Sequence, residues 1–339
     1  MFELKTFDEI GADQWDKFVL SANNGSIHQL SNWKSLQEAT PTRGLVLGWA
    51  ALEDGEIKAA SLLTRMKTGF FNTEWFYAGR GPVSTNRKAT EFLIEQITEK
   101  LKLETPAIFW RYDPYLLSSE KPLDSGIPAQ ASYHPTDSIV IDLTLGVDEL
   151  WRQVKSKKRR YDIRHGQDVL KLHKTPASKV TSKQLDSFYY LLEAAAKRDN
   201  FRLHPKNYYR DFLKHLSNYA TLWIVEFESK PVAASITTLC NGTGIYYFAA
   251  LTDDKAARKY TPAHFLLWEI IKYMSTSNAK QLDLLGIAPE NASANHPYAG
   301  ITKFKSSFGG QAVHYHLGRE IGLRPAWHKL YCLAKRLKG

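Results

Sequence analysis

Hydrophobic and polar positions follow the same pattern twice along the chain. Residues 48–61 align with residues 222–235, which places Trp49 on Trp223 and Ser61 on Ser235. Further along, residues 74–83 match residues 245–254. Turn residues interrupt both stretches, at Asp54-Gly55 in the first and at 229–231 and 241–242 in the second. Each copy is therefore predicted to contain a meander of strands joined by tight hairpins.

Helical patterns surround both meanders in the same order. Residues 7–36 and 182–217 precede them, residues 87–103 and 261–274 follow them, and a strand comes next at 106–114 and at 280–287. The repeated order of helices, strands, helix and strand indicates a duplicated unit. We therefore predict an α/β (α+β) protein with two tandem domains.

This order of elements resembles that of the GNAT acyltransferases, so the predicted fold is a tandem pair of GNAT-like domains. GNAT enzymes hold the pyrophosphate of coenzyme A on bare amides of a glycine-rich turn that opens a helix. At the equivalent place this chain has Thr261 and Pro262, and proline lacks an amide donor. Residues 86–90 of the first copy also lack glycine. Either a degenerate loop still binds coenzyme A or the acyl donor is different, and we favour a different donor.

Composition and charge add three expectations. The chain has 339 residues and a formal net charge of +10, which weakly favours a polyanionic partner. Its two cysteines, Cys240 and Cys332, are too few for a disulfide framework or a zinc site. No segment has the pattern of a signal peptide or a membrane span. We expect a cytoplasmic protein without a metal or cofactor.

A basic segment lies between the two repeats. Cations of this density form an electrostatic footprint for nucleic-acid phosphates, although a solvated helix face is the more frequent role of a charge run. The candidate tRNA-binding residues are Lys155, Lys157, Lys158, Arg159, Arg160 and Arg164.

The segment and several later motifs together resemble the Fem family, whose members build peptidoglycan interpeptide bridges from aminoacyl-tRNA. Residues 158–164 are similar to the family's Lys-x-Arg-Tyr-Asn-Ile-Arg, and residues 304–310 are similar to its Phe-Lys-x-x-Phe-Gly. Residues 29–33, 81–83, 205–209 and 283–287 also fit in order. The chain resembles the compact branch, which has no coiled-coil arm. We expect one domain at 1–145, completed by 317–339, and a second at 146–316.

The resemblance implies a reaction and its partners. An amino acid would pass from aminoacyl-tRNA to the stem-peptide amine of a precursor, either lipid II or UDP-MurNAc-pentapeptide, on a monomeric enzyme. Lys305, beside Phe304, aligns with a family lysine linked to tRNA-end binding or oxyanion stabilisation, and its alternative role is that of a surface lysine. Asp113 aligns with a family aspartate near the acceptor amine, where it could orient the amine or take its proton. Its alternative role is to cap a turn before Pro114.

The resemblance also identifies candidate acceptor-binding positions, which depart from the family pattern. Gln37 and His204 stand where a lysine and an arginine hold the phosphates of the UDP-linked precursor. Lys34 could partly compensate for Gln37, Tyr208 is retained, and Phe248 replaces a common tyrosine. The loss of two cations favours lipid II as the acceptor.

The C-terminal residues 325–338 have the pattern of a basic amphipathic helix. Apolar residues share one face, and cations that include Lys338 occupy the other. Such a helix suits peripheral contact with the cytoplasmic face of an anionic membrane, although docking on its own domain is more frequent. Three rival functions remain open: acyl-CoA-dependent N-acyltransfer, RNA binding without catalysis, and aminoacyl transfer to a phospholipid.

Overall fold

The computed structural model describes residues 1–69, 71–130 and 132–336. It divides into two compact units. The first unit contains residues 1–136 together with the C-terminal segment from His314, and the second contains residues 137–313. Leu337, Lys338 and Gly339, which the sequence pattern adds to the C-terminal helix, lie outside the described residues.

The described strands and helices follow the predicted order of helices, consecutive strands, a helix and a strand in each unit. The strands are β1 (Glu3–Thr6), β2 (Val46–Glu53), β3 (Glu56–Lys67), β4 (Glu74–Gly79), β5 (Val83–Ser84), β6 (Phe109–Asp113), β7 (Ile127–Pro128), β8 (Asp137–Asp142), β9 (Lys171–Pro176), β10 (Ala220–Phe227), β11 (Lys230–Cys240), β12 (Thr243–Leu251), β13 (Gln281–Asp283), β14 (Gln311–His314) and β15 (Arg319–Gly322). The helices are α1 (Phe7–Ile10), α2 (Ala12–Ser21), α3 (Ser31–Ala39), α4 (Arg87–Glu104), α5 (Val147–Gln153), α6 (Lys157–Gln167), α7 (Ser182–Asp199), α8 (Lys206–His215), α9 (Lys255–Arg258), α10 (Pro262–Ser275), α11 (Ala299–Ser306) and α12 (Pro325–Arg336).

Each unit is built on one mixed sheet. The first sheet has the order β1-β2-β3-β4-β6-β15-β7, and the second has the order β14-β8-β13-β12-β11-β10-β9. Strands β4 and β6 are parallel, as are β12 and β13, and the pairs of β2 with β3, β3 with β4, β10 with β11 and β11 with β12 are antiparallel. The long helices α4 and α10 each bury one face against the sheet of their own unit. This is the arrangement expected from the GNAT resemblance.

The β2–β3 and β10–β11 hairpins of the two sheets have the same strand register. Trp49 pairs with Ser61 across β2 and β3, and Trp223 pairs with Ser235 across β10 and β11, so the residues aligned by sequence occupy the same register. Both hairpins carry an irregularity at the same step, after Ala51 in one and after the equivalent residue of β10 in the other. Duplication therefore extends to the local defects of the strands.

The hairpin turns of the two copies are also equivalent. Asp54 and Gly55 have φ values of 52° and 78°, and Glu228 and Ser229 have values of 49° and 63°. Two successive positive φ values define the turn whose twist matches that of the flanking strands. The second turn lies at 228–229, one residue before the position expected from Ser229-Lys230-Pro231.

The structure places the boundary between the units after residue 136, nine residues before the expected boundary at 145/146. The reason is strand β8, which pairs antiparallel with β13 in the second sheet and buries Ile141 there. The C-terminal boundary lies after residue 313, between β14 and β15, slightly before the expected 316/317.

The C-terminal segment completes the first sheet through a buried charge network. β15 pairs with β6, and this brings Glu320 against Arg111, whose Nε donates to Oε1 of Glu320 at 3.0 Å. His328 of α12 contacts the other carboxylate oxygen at 2.9 Å. Burial opposes the charge of Glu320, but the His328 hydrogen bond and the Arg111 charge outweigh it and lower the pKa of the carboxyl group.

We predict that replacing Glu320 by alanine destabilises the first unit by about 3–5 kcal/mol, since Arg111 is left buried without its partner. Chemical denaturation of the full chain measures this change. Glu104→Ala is the matched control, because Glu104 pairs with Lys100 at the surface and such pairs contribute up to about 1 kcal/mol. Equal stability of the two variants would show that the network contributes little.

Candidate active site

Asp113 occupies a buried position at the end of β6 in the first unit. Its carboxylate Oδ2 accepts a 2.5 Å hydrogen bond from the hydroxyl of Tyr77, on the parallel strand β4. On the other side lies Gly318, where a Cβ atom would come within 1.9 Å of Oδ1. Asp113 is therefore held by a neighbouring strand and by a glycine that leaves just enough space for its carboxyl group.

The environment of Asp113 disfavours its negative charge. Burial raises the pKa of the carboxyl group, although the Tyr77 hydrogen bond and the charge of Arg111 act in the opposite direction. Oδ1 lacks a well-formed hydrogen bond in the described structure, and only the backbone of His134 and nearby cations help to hold its charge. A carboxylate in this condition is suited to orient an ammonium group or to accept its proton.

The half-buried His134, whose backbone acts on this carboxylate, packs against the buried His28. The ring centroids of His28 and His134 are 4.4 Å apart, and His134 stacks 6.0 Å from Tyr77. Burial lowers the pKa of His28 to about 3 and that of His134 well below its ordinary value, helped by the charge of Arg80. Both imidazoles are neutral near pH 7. They form an uncharged pair on the same side of the first unit as Tyr77, the hydrogen-bond partner of Asp113.

The guanidinium group of Arg80 is held in a fixed position near His28 and Asp113. It lies over the rings of Tyr115 and Tyr315, at 4.8 and 4.7 Å from their centroids, and donates to the carbonyl of Pro135. Arg80, His28 and His134 were not among the residues predicted from the sequence. His28 and Arg80 directly precede two matched motifs, residues 29–33 and 81–83, which is the signal that could have identified them, whereas no motif adjoins His134.

Lys34 and Gln37, both on α3, each contact a partner within the first unit. Lys34 forms an ion pair with Glu38 at 2.5 Å and lies over the ring of Phe7. Gln37 is only 1% exposed, and its amide oxygen accepts from Arg43. Arg43 thus supplies a cation next to the position where the family pattern has a lysine.

Lys305 lies in α11 of the second unit and is buried, which contradicts its alternative assignment as a surface lysine. Its ammonium donates to the carbonyl oxygens of Leu285 and Gly286, at 2.8 Å each. Burial lowers the pKa of Lys305 to about 8, although the charge of Asp283 opposes this. Asp283 ends β13 and accepts from Ser138 and from the backbone of Leu285, so it fixes the loop that holds the lysine.

Phe304, which precedes Lys305 in α11, packs on the core of the second unit. Its ring lies edge-on to His264, at 4.8 Å between centroids. His264 belongs to the first turn of α10, and burial lowers its pKa to about 4, with the charge of Arg159 adding to the effect. Thr261, which precedes this helix, has a φ of 48° and does not cap it through its side chain. The start of α10 therefore lacks the glycine-rich amide cradle of coenzyme A-binding domains.

The basic segment 155–164 forms α6 and the turn before it. Gly166 of α6 approaches the Tyr260 carbonyl, which would lie 3.0 Å from a Cβ at that position, so α6 packs directly against the loop that opens α10. Lys155 and Lys157 are exposed. The other candidate cations have local contacts: Lys158 and Arg159 with Asp162, Arg160 with the Val154 carbonyl, and Arg164 with the Trp151 ring.

The structure brings the three candidate acceptor residues of the second unit together. His204 stacks on Tyr208 at 4.3 Å between ring centroids. Tyr209 lies next to both Tyr208 and Phe248, at 5.7 and 5.1 Å. The cluster is aromatic, and His204 is exposed at its edge.

One group in the described chain combines metal-binding residue types. Ligand atoms of Glu320, His328 and Cys332 lie within 4.8 Å of one another. Glu320 is already bonded to Arg111 and His328, so the donors are used for the buried charge network. Among the described helices, none is both long and apolar enough to cross a bilayer.

Comparison with protein families gives two matches that divide along the two units. Residues 10–132 match the FemAB family, and residues 152–300 match the acetyltransferase (GNAT) domain. No curated protein sequence gives a significant match.

Solved structures resemble the whole chain. The crystal structure of FemX superposes with a TM-score of 0.82 over 97% of this chain and 99% of that one, at 15% identity. A tandem GNAT protein from the clavulanic acid biosynthesis pathway gives 0.56 over 95% and 99%, at 13% identity. The C-terminal domain of a putative lysylphosphatidylglycerol synthetase from Agrobacterium fabrum gives 0.53 over 80% and 85%, at 16% identity. These matches confirm the tandem GNAT-like fold.

We predict that Asp113→Asn abolishes activity without lowering the melting temperature. The folded chain binds a proton at Asp113 more readily than the unfolded chain, whose carboxyl pKa is near 3.8. Its contribution to stability therefore decreases as the pH rises from 3.8 through the raised pKa, and the asparagine variant should lack this decrease. Thermal melts of both proteins across this pH range, with an activity assay, test the prediction. An active variant with a lower melting temperature would make Asp113 a structural residue.

Proposed function

We propose that this chain transfers an amino acid from aminoacyl-tRNA to the stem-peptide amine of a peptidoglycan precursor, because residues 10–132 match the FemAB family and the chain has a GNAT-type fold similar to that of FemX. The start of α10 supports this donor most directly. It has no glycine-rich cradle for coenzyme A, and the basic helix α6 packs against it. A donor with several phosphodiester charges suits this surface better than coenzyme A does.

The reaction needs positioning and charge stabilisation more than a covalent intermediate. The acceptor nitrogen attacks the ester carbonyl, a C–N bond forms, and the C–O bond to the tRNA ribose breaks. The amine loses a proton, and the ribose hydroxyl leaves with one. Between these events the carbonyl oxygen carries a negative charge, which a fixed donor in a buried site stabilises strongly.

In the proposal, Lys305 supplies that donor. An ammonium group has three N–H bonds, and the carbonyls of Leu285 and Gly286 accept two of them. The third can point to the developing oxyanion while the other two keep the nitrogen in place. Both the fixed position and the low exposure favour stabilisation of the transition state over ground-state binding.

Asp113 is the residue that we propose to act on the acceptor amine in this reaction. In the proposal, its carboxylate orients the attacking amine and accepts the proton released on attack, which its raised pKa favours. The neutral imidazoles of His28 and His134 add no positive charge that would repel an ammonium group.

Lipid II is the acceptor that we favour. Gln37 is buried and bonded to Arg43, and His204 is exposed and stacked on Tyr208, so neither reproduces the cation expected for gripping a uridine diphosphate. The aromatic surface of His204, Tyr208 and Phe248 remains suited to the sugar or peptide of the precursor.

We predict that Lys155→Gln/Lys157→Gln weakens tRNA binding several-fold and makes its salt dependence shallower, since these exposed lysines release counterions from phosphates. Filter binding across a salt series measures both effects. Lys179→Gln/Lys183→Gln, which removes two exposed lysines elsewhere in the same unit, should bind as the wild type does. Tight binding of acetyl-coenzyme A without any tRNA binding would contradict the proposed donor.

We predict that Lys305→Met lowers kcat by about 100- to 1,000-fold, the range observed when one oxyanion donor is removed. Because the pKa of Lys305 is about 8, its positive charge is lost as the pH rises past that value, and the wild-type rate should lose this contribution there. The variant should show no such loss. Single-turnover rates against pH, measured below both melting temperatures, test this.

The same substitution separates catalysis from stability. The folded chain releases the Lys305 proton before the unfolded chain does, so wild-type stability should increase between pH 8 and 10.5, and that of the methionine variant should not. If the variant loses this increase but keeps the wild-type kcat, Lys305 is structural.

A further inference from the structure

Helix α12 has two different faces. Its inner face buries His328 and Tyr331 against Phe109, at 4.9 and 5.1 Å between ring centroids. This docking agrees with the more frequent fate of an amphipathic helix. Its outer face nevertheless exposes large apolar side chains, with Trp327 at 44%, Leu330 at 45% and Leu333 at 54% exposure. The packing of the helix on its own unit therefore leaves an apolar stripe uncovered.

A second element extends this stripe. Phe71 lies in the loop between β3 and β4 and is 74% exposed. Its ring centroid is 6.2 Å from that of Trp327. An exposed phenylalanine at a hairpin tip, next to an exposed tryptophan on a helix, forms one apolar surface from two separate parts of the chain.

The charges on α12 and on the residues just before it have one sign. Residues 321–336 contain no aspartate or glutamate, whereas Lys329, Lys335 and Arg336 are exposed on α12. Lys329 and Arg336 are seven residues apart and lie on the same flank of the stripe. Lys67, at the end of β3, is exposed before the hairpin loop. Aromatic and aliphatic side chains flanked by cations match the interface of an anionic bilayer, where rings enter the headgroup region and cations meet lipid phosphates.

We propose that the outer face of α12 and the tip of the β3–β4 hairpin together form a docking surface for an anionic membrane. The proposal rests on the proposed function only in its biological purpose, which is to bring the enzyme to a lipid-linked acceptor. Binding itself requires neither tRNA nor the acceptor. Burial of the rings supplies part of the binding free energy, and attraction of the cations to lipid phosphates supplies the rest.

Cosedimentation of the full chain with vesicles tests the surface without catalysis. The wild type should bind vesicles of phosphatidylglycerol and phosphatidylcholine, and it should bind pure phosphatidylcholine at least about tenfold more weakly, because only the first carries net charge. High salt should weaken the first interaction. Phe71→Ser/Trp327→Ser/Leu333→Ser should bind the anionic vesicles at least about tenfold more weakly than the wild type.

One control variant and one charge variant make the test specific. Leu103→Ser removes an apolar side chain of the same unit that is 84% exposed, and it should bind vesicles normally. Lys329→Gln/Arg336→Gln should bind anionic vesicles weakly and with little salt dependence. Circular dichroism confirms that each variant is folded, and transfer to a soluble acceptor without vesicles should be unchanged in all of them. If the wild type does not transfer an amino acid to the soluble acceptor, the proposed function is contradicted. The result of the vesicle-binding experiment does not depend on that outcome.

Three outcomes would overturn the docking surface. The first is that the wild type does not bind anionic vesicles. The second is that the triple variant binds them as well as the wild type does. In the third, the wild type self-associates in the absence of lipid and the triple variant is monomeric, which would make the surface a contact between copies of this chain.

Discussion

The buried pairing of Glu320 with Arg111 is the interaction on which the first unit depends. It joins β15 to β6, although 209 positions of the chain separate the two residues. Because β15 is fixed beside β6, Gly318 lies against Asp113 and limits the position of that carboxyl group. Because His328 contacts the same carboxylate, α12 is fixed with Tyr331 inward and Trp327 outward. A single buried carboxylate thus determines the environment of the candidate base and the orientation of the exposed stripe.

Each unit buries one ionisable side chain at a position where burial disfavours its charged form. Asp113 ends the strand that runs parallel to β4, and the carbonyls that hold Lys305 follow the strand that runs parallel to β12. Burial raises the pKa of the acid and lowers that of the base, so each group exchanges a proton more easily near neutral pH than it would in water. The duplicated fold therefore provides one acidic and one basic site from equivalent parts of its architecture.

The sequence predicted the fold more completely than the site. Turn residues such as Asp54-Gly55 and the alignment of Trp49 with Trp223 depend on local rules and repetition, and both are confirmed in register. The predicted boundary at 145/146 differs from the observed boundary after residue 136. The difference arises because β8 pairs with β13, a long-range contact that the local sequence pattern does not reveal. Lys305 shows the same limit: the motif indicated that it matters, but its burial and its two carbonyl partners depend on how α11 packs.

The Gln37 position shows why substitution patterns alone are a weak guide to ligand specificity. Replacing a lysine by glutamine at one place suggests a lost phosphate contact, yet Arg43 donates to that same glutamine. The positive charge has moved by six positions in the sequence and remains beside α3. Arg43 also acts on His134 electrostatically, which connects it to the group around Asp113. The proposal of a lipid-linked acceptor therefore depends more on the exposed His204 and on the apolar stripe of α12 than on the loss of a cation at Gln37.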